Sequence, residues 1–153
     1  MSVQAEQNNN SVPFIRFANP AVIDEEAVLS QDAGRTTVLA SKTLMAKIAA
    51  TQKWEPFTDE TATDGTALPQ GIYVGPDIAA ADLVAGDVVD NQILVGAALF
   101  DLNQLVIENS KTLDTVINAT GGADNINIKT VRDYLADKGL FAEDTTDISG
   151  FQA

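Results

Sequence analysis

Trp54–Gly75, WEPFTDETATDGTALPQGIYVG, governs the reading of the whole chain. A short aromatic strand, Trp54 to Phe57, runs into a polar segment centred on Thr63-Asp64-Gly65. The chain returns through Ala67-Leu68-Pro69 to a Gly71-Ile72-Tyr73-Val74-Gly75 strand. Asp64-Gly65 supplies the positive-φ position that a tight turn needs, and Pro69 fixes the approach to the next strand. No side chain here is a strong nucleophile or a soft metal ligand. The segment is suited to holding a small sheet and presenting a surface, which points to a binding or structural protein rather than an enzyme.

On either side the pattern stays β. Thr36 to Ala40 is a β-branched run, and Leu44 to Ala50 follows a polar Ser41-Lys42-Thr43 turn. Asp77 to Val84 reads equally as a helical turn or an irregular loop. Ala85-Gly86-Asp87 is a turn before two β runs, Val88-Val89 and Ile93 to Phe100. Short β segments separated by Gly, Pro and Asp describe a small, mostly antiparallel structure. The period then changes. Leu102 to Val106 fits a helical turn with an Asp101 start, and Leu113, Val116 and Ile117 share a helical face stopped by Gly121-Gly122. Ile128, Val131 and Leu135 share another, with Gly139 as its C′ residue. The class is α+β, mainly β, with short C-terminal helices.

Three segments follow: an N-terminal arm at 1–34, a β domain with its helices at 35–141, and an acidic tail at 142–153. Within the arm, Gln4, Gln7 and Asn8-Asn9-Asn10 are too polar to pack. Val12 to Pro20 is an apolar patch between prolines, read as extended because Pro20 disfavours helix at Asn19. Val22 to Leu29 is compatible with a short helical turn, and Asp32 to Gly34 with a loop.

The chain has 153 residues, 45% of them apolar, and a net charge of −13. One domain with a real core is expected. From Trp54 to Ser110 there is no Lys or Arg against ten acids: Glu55, Asp59, Glu60, Asp64, Asp77, Asp82, Asp87, Asp90, Asp101 and Glu108. Phosphate backbones are bound by Lys and Arg, so nucleic acid should be repelled. No basic n-region precedes an apolar core at the N-terminus, and no apolar run approaches membrane-spanning length, so a soluble chain without a membrane partner is expected. With neither Cys nor His present, disulfides, the common zinc and copper sites and the usual neutral-pH general base are not available. No catalytic residue, cofactor or metal is expected. Asp59, Glu60 and Asp64 fall close together but not at EF-hand spacing, and exposed turn residues account for them. The glycines at 71–75 and 121–122 lack the pattern of a phosphate-binding loop.

Two groups of residues are candidates for contact with partners. Pro13, Phe14, Ile15, Arg16 and Phe17 would form a strand-adding arm, with Phe14, Ile15 and Phe17 as anchors and Arg16 facing an acid on the partner. An arm folded back on its own domain is the alternative. Trp54, Pro56, Phe57 and Tyr73 either pack the core or anchor a subunit interface, where aromatics concentrate.

The order of elements from Thr37 to Gly139 resembles the phage lambda-type head decoration proteins, also called capsid stabilising or cement proteins. Thr37-Val38-Leu39 and Leu44-Met45-Ala46-Lys47-Ile48 are similar to that family's opening strands. Trp54-Glu55-Pro56-Phe57, then Thr63-Asp64-Gly65-Thr66-Ala67, then Gly71-Ile72 resemble its aromatic-proline strand, Asp-Gly segment and Gly-Ile strand. Ile93 to Ala97, Leu99 and Leu102 to Val106 resemble its last long strand and the short helix after it, and Gly139-Leu140 its closing helix end. Val95 stands where many relatives carry Arg, and residues 107–126 look like an insertion. The resemblance implies a β-tulip-like domain that trimerises at three-fold sites outside an expanded icosahedral head. It implies the major capsid protein and other copies of this chain as partners, the outer capsid surface of the virion as location, and synthesis in the host cytoplasm. Two other classes compete with it. A virion-displayed host-surface or carbohydrate-binding module would use Tyr73 or the Asp59–Asp64 loop, and a hydrolase would rest on the carboxylates alone.

Overall fold

Two long strands organise the molecule. In the computed structural model, which describes residues 13–117 and 129–144, β1 (Ile15–Leu29) runs antiparallel to β5 (Val88–Asp101). At about 3.3 Å per residue each is close to 50 Å long. Around them are β2 (Leu44–Lys47), β3 (Trp54–Pro56), β4 (Pro69–Tyr73) and β8 (Leu140–Glu143). The sheet order is β1-β3-β2-β4-β5-β8, with β1 also paired to β5. That second pairing curls five strands into a small barrel, and β8 lies parallel to the far half of β5. Helix α1 (Ala80–Ala85) precedes β5. A two-stranded ribbon of β6 (Val116–Ile117) and β7 (Lys129–Thr130) leads into α2 (Val131–Asp137). The fold is mainly β with a small barrel-like sheet and two short helices.

The largest revision concerns the arm. Residues 14–29 are not separate from the domain at 35–141 but are part of its sheet, and Val22–Leu29 is strand rather than helix. An isolated helix of that length is marginal in water. Pairing with β5 instead satisfies the backbone and sends Ala27 and Leu29, two apart, into the core. Leu29 is the closure point: it pairs with Trp54 on one side and Val88 on the other, and is 1% exposed. Pro20 falls inside the register shift between Ala18 and Val22. A bulge is where a strand tolerates a residue with no N–H to donate. The polar start at 1–12, including Gln4, Gln7 and Asn8–Asn10, lies outside the described residues.

Buried side chains form two clusters. One gathers Phe14, Leu44, Phe57, Ile72, Leu94, Phe100, Val131, Leu135 and Leu140 under α2. The other gathers Leu29, Leu39, Met45, Trp54, Tyr73, Ile78, Leu83 and Ile93 under α1. Gly71 lets the strands close over the tryptophan. A Cβ there would come within 2.6 Å of Ile93 Cγ2 and 3.1 Å of the Trp54 ring.

Other expectations fare unevenly. Gly65 has φ +102 and the Asp64–Gly65 turn is tied to the turn just after β2 by Ala49 N–H donating to Asp64 O at 2.8 Å. Helix α2 has a Thr130/Asp133 capping box and is followed by left-handed Gly139; Ile128 lies outside the described residues. Thr36–Ala40 is not a strand and makes only a Leu39–Ile78 bridge. Arg35 is the reason: its guanidinium donates to Thr37 O and Val38 O, carbonyls that a ladder would need. Leu102–Gln104 is a turn capped by Asp101, not a helix. Leu113–Ile117 is a turn running into β6, with Leu113 and Ile117 buried as the spacing required but Val116 exposed. Of the 107–126 segment, 107–117 contributes Leu113 and Ile117 to the core, with Ile107 packed against it. Gly121-Gly122 and the remainder lie outside the described residues. Ala142 and Glu143 belong to β8 rather than to a tail; 145–153 lies outside.

Candidate interaction surface

Three acids of the cation-free stretch are paired with cations from outside it. Lys53 meets Asp87 at 2.5 Å, Arg35 meets Glu108 at 2.9 Å and Lys111 meets Glu60 at 2.6 Å. These contacts fasten Glu60, Asp87 and Glu108 to cations that flank the stretch. The Arg35 side chain is 7% exposed and makes three hydrogen bonds. The Lys53–Asp87 pair is more open and its worth is correspondingly small.

Asp59, Glu60 and Asp64 do not converge. Asp59 Oδ1 accepts from the Thr61 N–H and hydroxyl, and Asp64 Oδ1 accepts from the same groups of Thr66. These bonds hold both carboxyls below their ordinary range, and the Lys111 hydrogen bond does the same for Glu60. Among the described residues no group of three or more acids, His or Cys is placed to hold a metal ion. The carboxylates act as turn formers.

The aromatic candidates for a subunit interface lie inside the chain itself. Trp54, Phe57 and Tyr73 are all buried, with Lys47 Nζ 5.0 Å from the Trp54 ring centroid. Tyr73 is 1% exposed and its hydroxyl donates to Pro76 O at 2.6 Å. Burial, and then the Asp77 charge, raise its pKa. Pro56 is half-buried opposite Met45. An anchor must protrude before it can fill a partner's pocket, so Trp54, Phe57 and Tyr73 are reassigned to the core. Tyr73 is likewise no platform for a sugar.

The arm candidates divide. Pro13 is exposed, Ile15 half-buried and Phe14 buried against Phe100, ring centroids 5.7 Å apart. Phe14 is therefore a core residue of its own domain. Arg16 and Phe17 lie along β1, with Phe17 opposite Leu99.

The surface available to a partner is different from the one the sequence suggested. Among the described residues, β1 ahead of Leu29 has no strand on its second edge, and neither has β8. Open edges carry unpaired backbone donors and acceptors and are sites of strand addition. Asp24, Glu25 and Glu26 guard one half of the β1 edge, whereas Ile15–Ile23 carries one charge, Arg16. Val22 is 50% and Phe141 52% exposed, on the two strands flanking β5. Phe141 escaped the sequence reading because a four-residue strand after Gly139 has no period to detect. Its signal was the apolar pair Leu140-Phe141 directly behind a helix C-cap.

No family model, curated protein or solved structure matches this chain. Among the described residues no helix is long and apolar enough to cross a membrane.

Proposed function

We propose that the chain is a capsid decoration protein. It binds the outside of an expanded icosahedral phage head as a trimer at three-fold sites, and its β-tulip-like domain braces the shell against the pressure of packaged DNA. What supports this reading most is the spatial assembly of the resembling segments. Leu44–Lys47, Trp54–Pro56, the Asp64–Gly65 turn and Gly71–Ile72 form one antiparallel unit, β3-β2-β4. Segments that are individually weak as motifs occupy adjacent positions in one sheet.

The action is passive. A protein that binds only the expanded lattice adds its binding free energy to that state alone and shifts the equilibrium by its differential affinity. Trimer geometry makes the second and third contacts intramolecular. The major capsid protein is engaged through the open Ile15–Ile23 edge of β1, not through a detached arm, because the other edge of that strand is committed to β5. Cryo-electron microscopy of undecorated, expanded cognate heads mixed with the protein tests this. The expected result is added density at the three-fold positions with β1 against the shell; bare three-fold positions at saturating protein would overturn it.

A further inference from the structure

A cavity of about 230 Å³ opens where the end of β1, β3 and α1 meet. Its floor is Leu29, Leu39, Met45, Trp54 and Leu83, all buried. Its mouth carries two carboxylates, Asp32 and Glu55. Ordinary small-molecule sites occupy roughly 300–1,000 Å³, so this one has room for a single long side chain rather than a metabolite.

The electrostatics select which side chain. Arg35 also lines the cavity, but its N–H groups are committed to Thr37 O, Val38 O and Glu108. Lys47 lies over the Trp54 ring and Lys53, next to Trp54, is paired with Asp87. Asp32, Glu55, Asp64, Asp87 and Glu108 stand against these three cations, leaving the region negative. Among the described residues neither Asp32 nor Glu55 forms an ion pair. The walls are stiff: Asp32 N–H donates to Leu83 O at 2.9 Å, Ser30 N–H to Trp54 O at 2.8 Å, and Gln31 Nε2 to Val84 O at 2.7 Å. Burial and the neighbouring Asp64 charge raise the Glu55 carboxyl above its ordinary value, so the site gains when a cation arrives.

We infer that this cavity is a socket for one lysine or arginine side chain of a partner protein, its apolar stem along the half-buried Pro56 and its charged head between Asp32 and Glu55. Long basic side chains combine an apolar stem with a cationic tip. The socket does not depend on the decoration reading.

The test is titration of the full-length ¹⁵N-labelled protein with three blocked tripeptides, Gly-Lys-Gly, Gly-Arg-Gly and Gly-norleucine-Gly, at low salt. A saturable response is expected with the lysine or arginine peptide, at dissociation constants on the order of 1 mM. The shifts should centre on the amides of Asp32, Trp54, Glu55 and Leu83. Binding should weaken about tenfold for norleucine and for the Asp32→Asn/Glu55→Gln variant. Equal shifts with norleucine, shifts scattered over the acidic surface, or no saturation with either basic peptide would each overturn the assignment. The peptide comparison is made on the unsubstituted chain, so misfolding of the variant would not blunt it.

Discussion

Phe14→Ala separates the two accounts of the N-terminal segment. If Phe14 were an anchor on a detached arm, truncation would leave the isolated chain's stability within about 0.5 kcal/mol of the original. In the structure it is 8% exposed, its ring tilted 36° against Phe100, in one buried cluster with Leu44, Phe57 and Leu140. Buried Phe→Ala changes cost about 3–5 kcal/mol. Phe14 sits at the mouth of its cluster, one residue before β1 begins, so the lower end applies: about 3 kcal/mol. With a urea m-value of about 2 kcal/mol per molar, the midpoint falls by about 1.5 M. For a chain of this size the melting temperature should fall by about 6–12 °C. Trp54 is the single tryptophan and is buried in the other cluster, so its fluorescence reports global unfolding. A midpoint shift below about 0.25 M at unchanged m would refute the placement of Phe14 in the core.

Three further substitutions probe other parts of the argument. Arg35→Ala strands Glu108, whose Oε2 is already buried without a hydrogen bond, and frees the Thr37 and Val38 carbonyls; a loss of about 2–3 kcal/mol in urea unfolding is expected. Gly71→Ala forces a methyl against Ile93 and the Leu94 carbonyl and should cost about 1–3 kcal/mol, with a shifted Trp54 emission in the folded state. Glu55→Gln tests the sign of a burial effect. The folded carboxyl is raised above its ordinary 4.5, so the folded state holds that proton more tightly. The resulting benefit is complete below the unfolded value and is lost as pH rises through the folded one. The glutamine variant should therefore be the more stable protein at neutral pH, with the difference vanishing below about pH 4; a variant less stable at neutral pH would contradict it.

The central β unit was legible because its punctuation is local. Asp64-Gly65 and Pro69 mark a turn and a strand entry through their own backbone preferences, and Trp54–Phe57 and Gly71–Val74 lie where expected within a residue or two. Three features were not legible, each for a non-local reason. Thr36–Ala40 has strand propensity, but Arg35 occupies its carbonyls. Leu113 and Ile117 have helical spacing and are buried, yet the backbone between them turns and pairs with Thr130. Ile15–Leu29 is interrupted by Pro20 and three acids, so neither period shows. Only the partner strand β5, some seventy residues on, makes a strand of it. The candidate contact residues went astray for a related reason: aromatics mark cores and interfaces alike, and burial alone separates them. Trp54, Phe57, Tyr73 and Phe14 went inward, while Phe141, the last residue read as part of the domain, stayed out.

Passive clamping of a matured shell is tested most directly by co-sedimenting the protein with cognate heads before and after expansion. Saturable uptake of a trimer per three-fold position by expanded heads, and none by unexpanded ones, is the result predicted here. Equal uptake by both forms, or none by either, would contradict it.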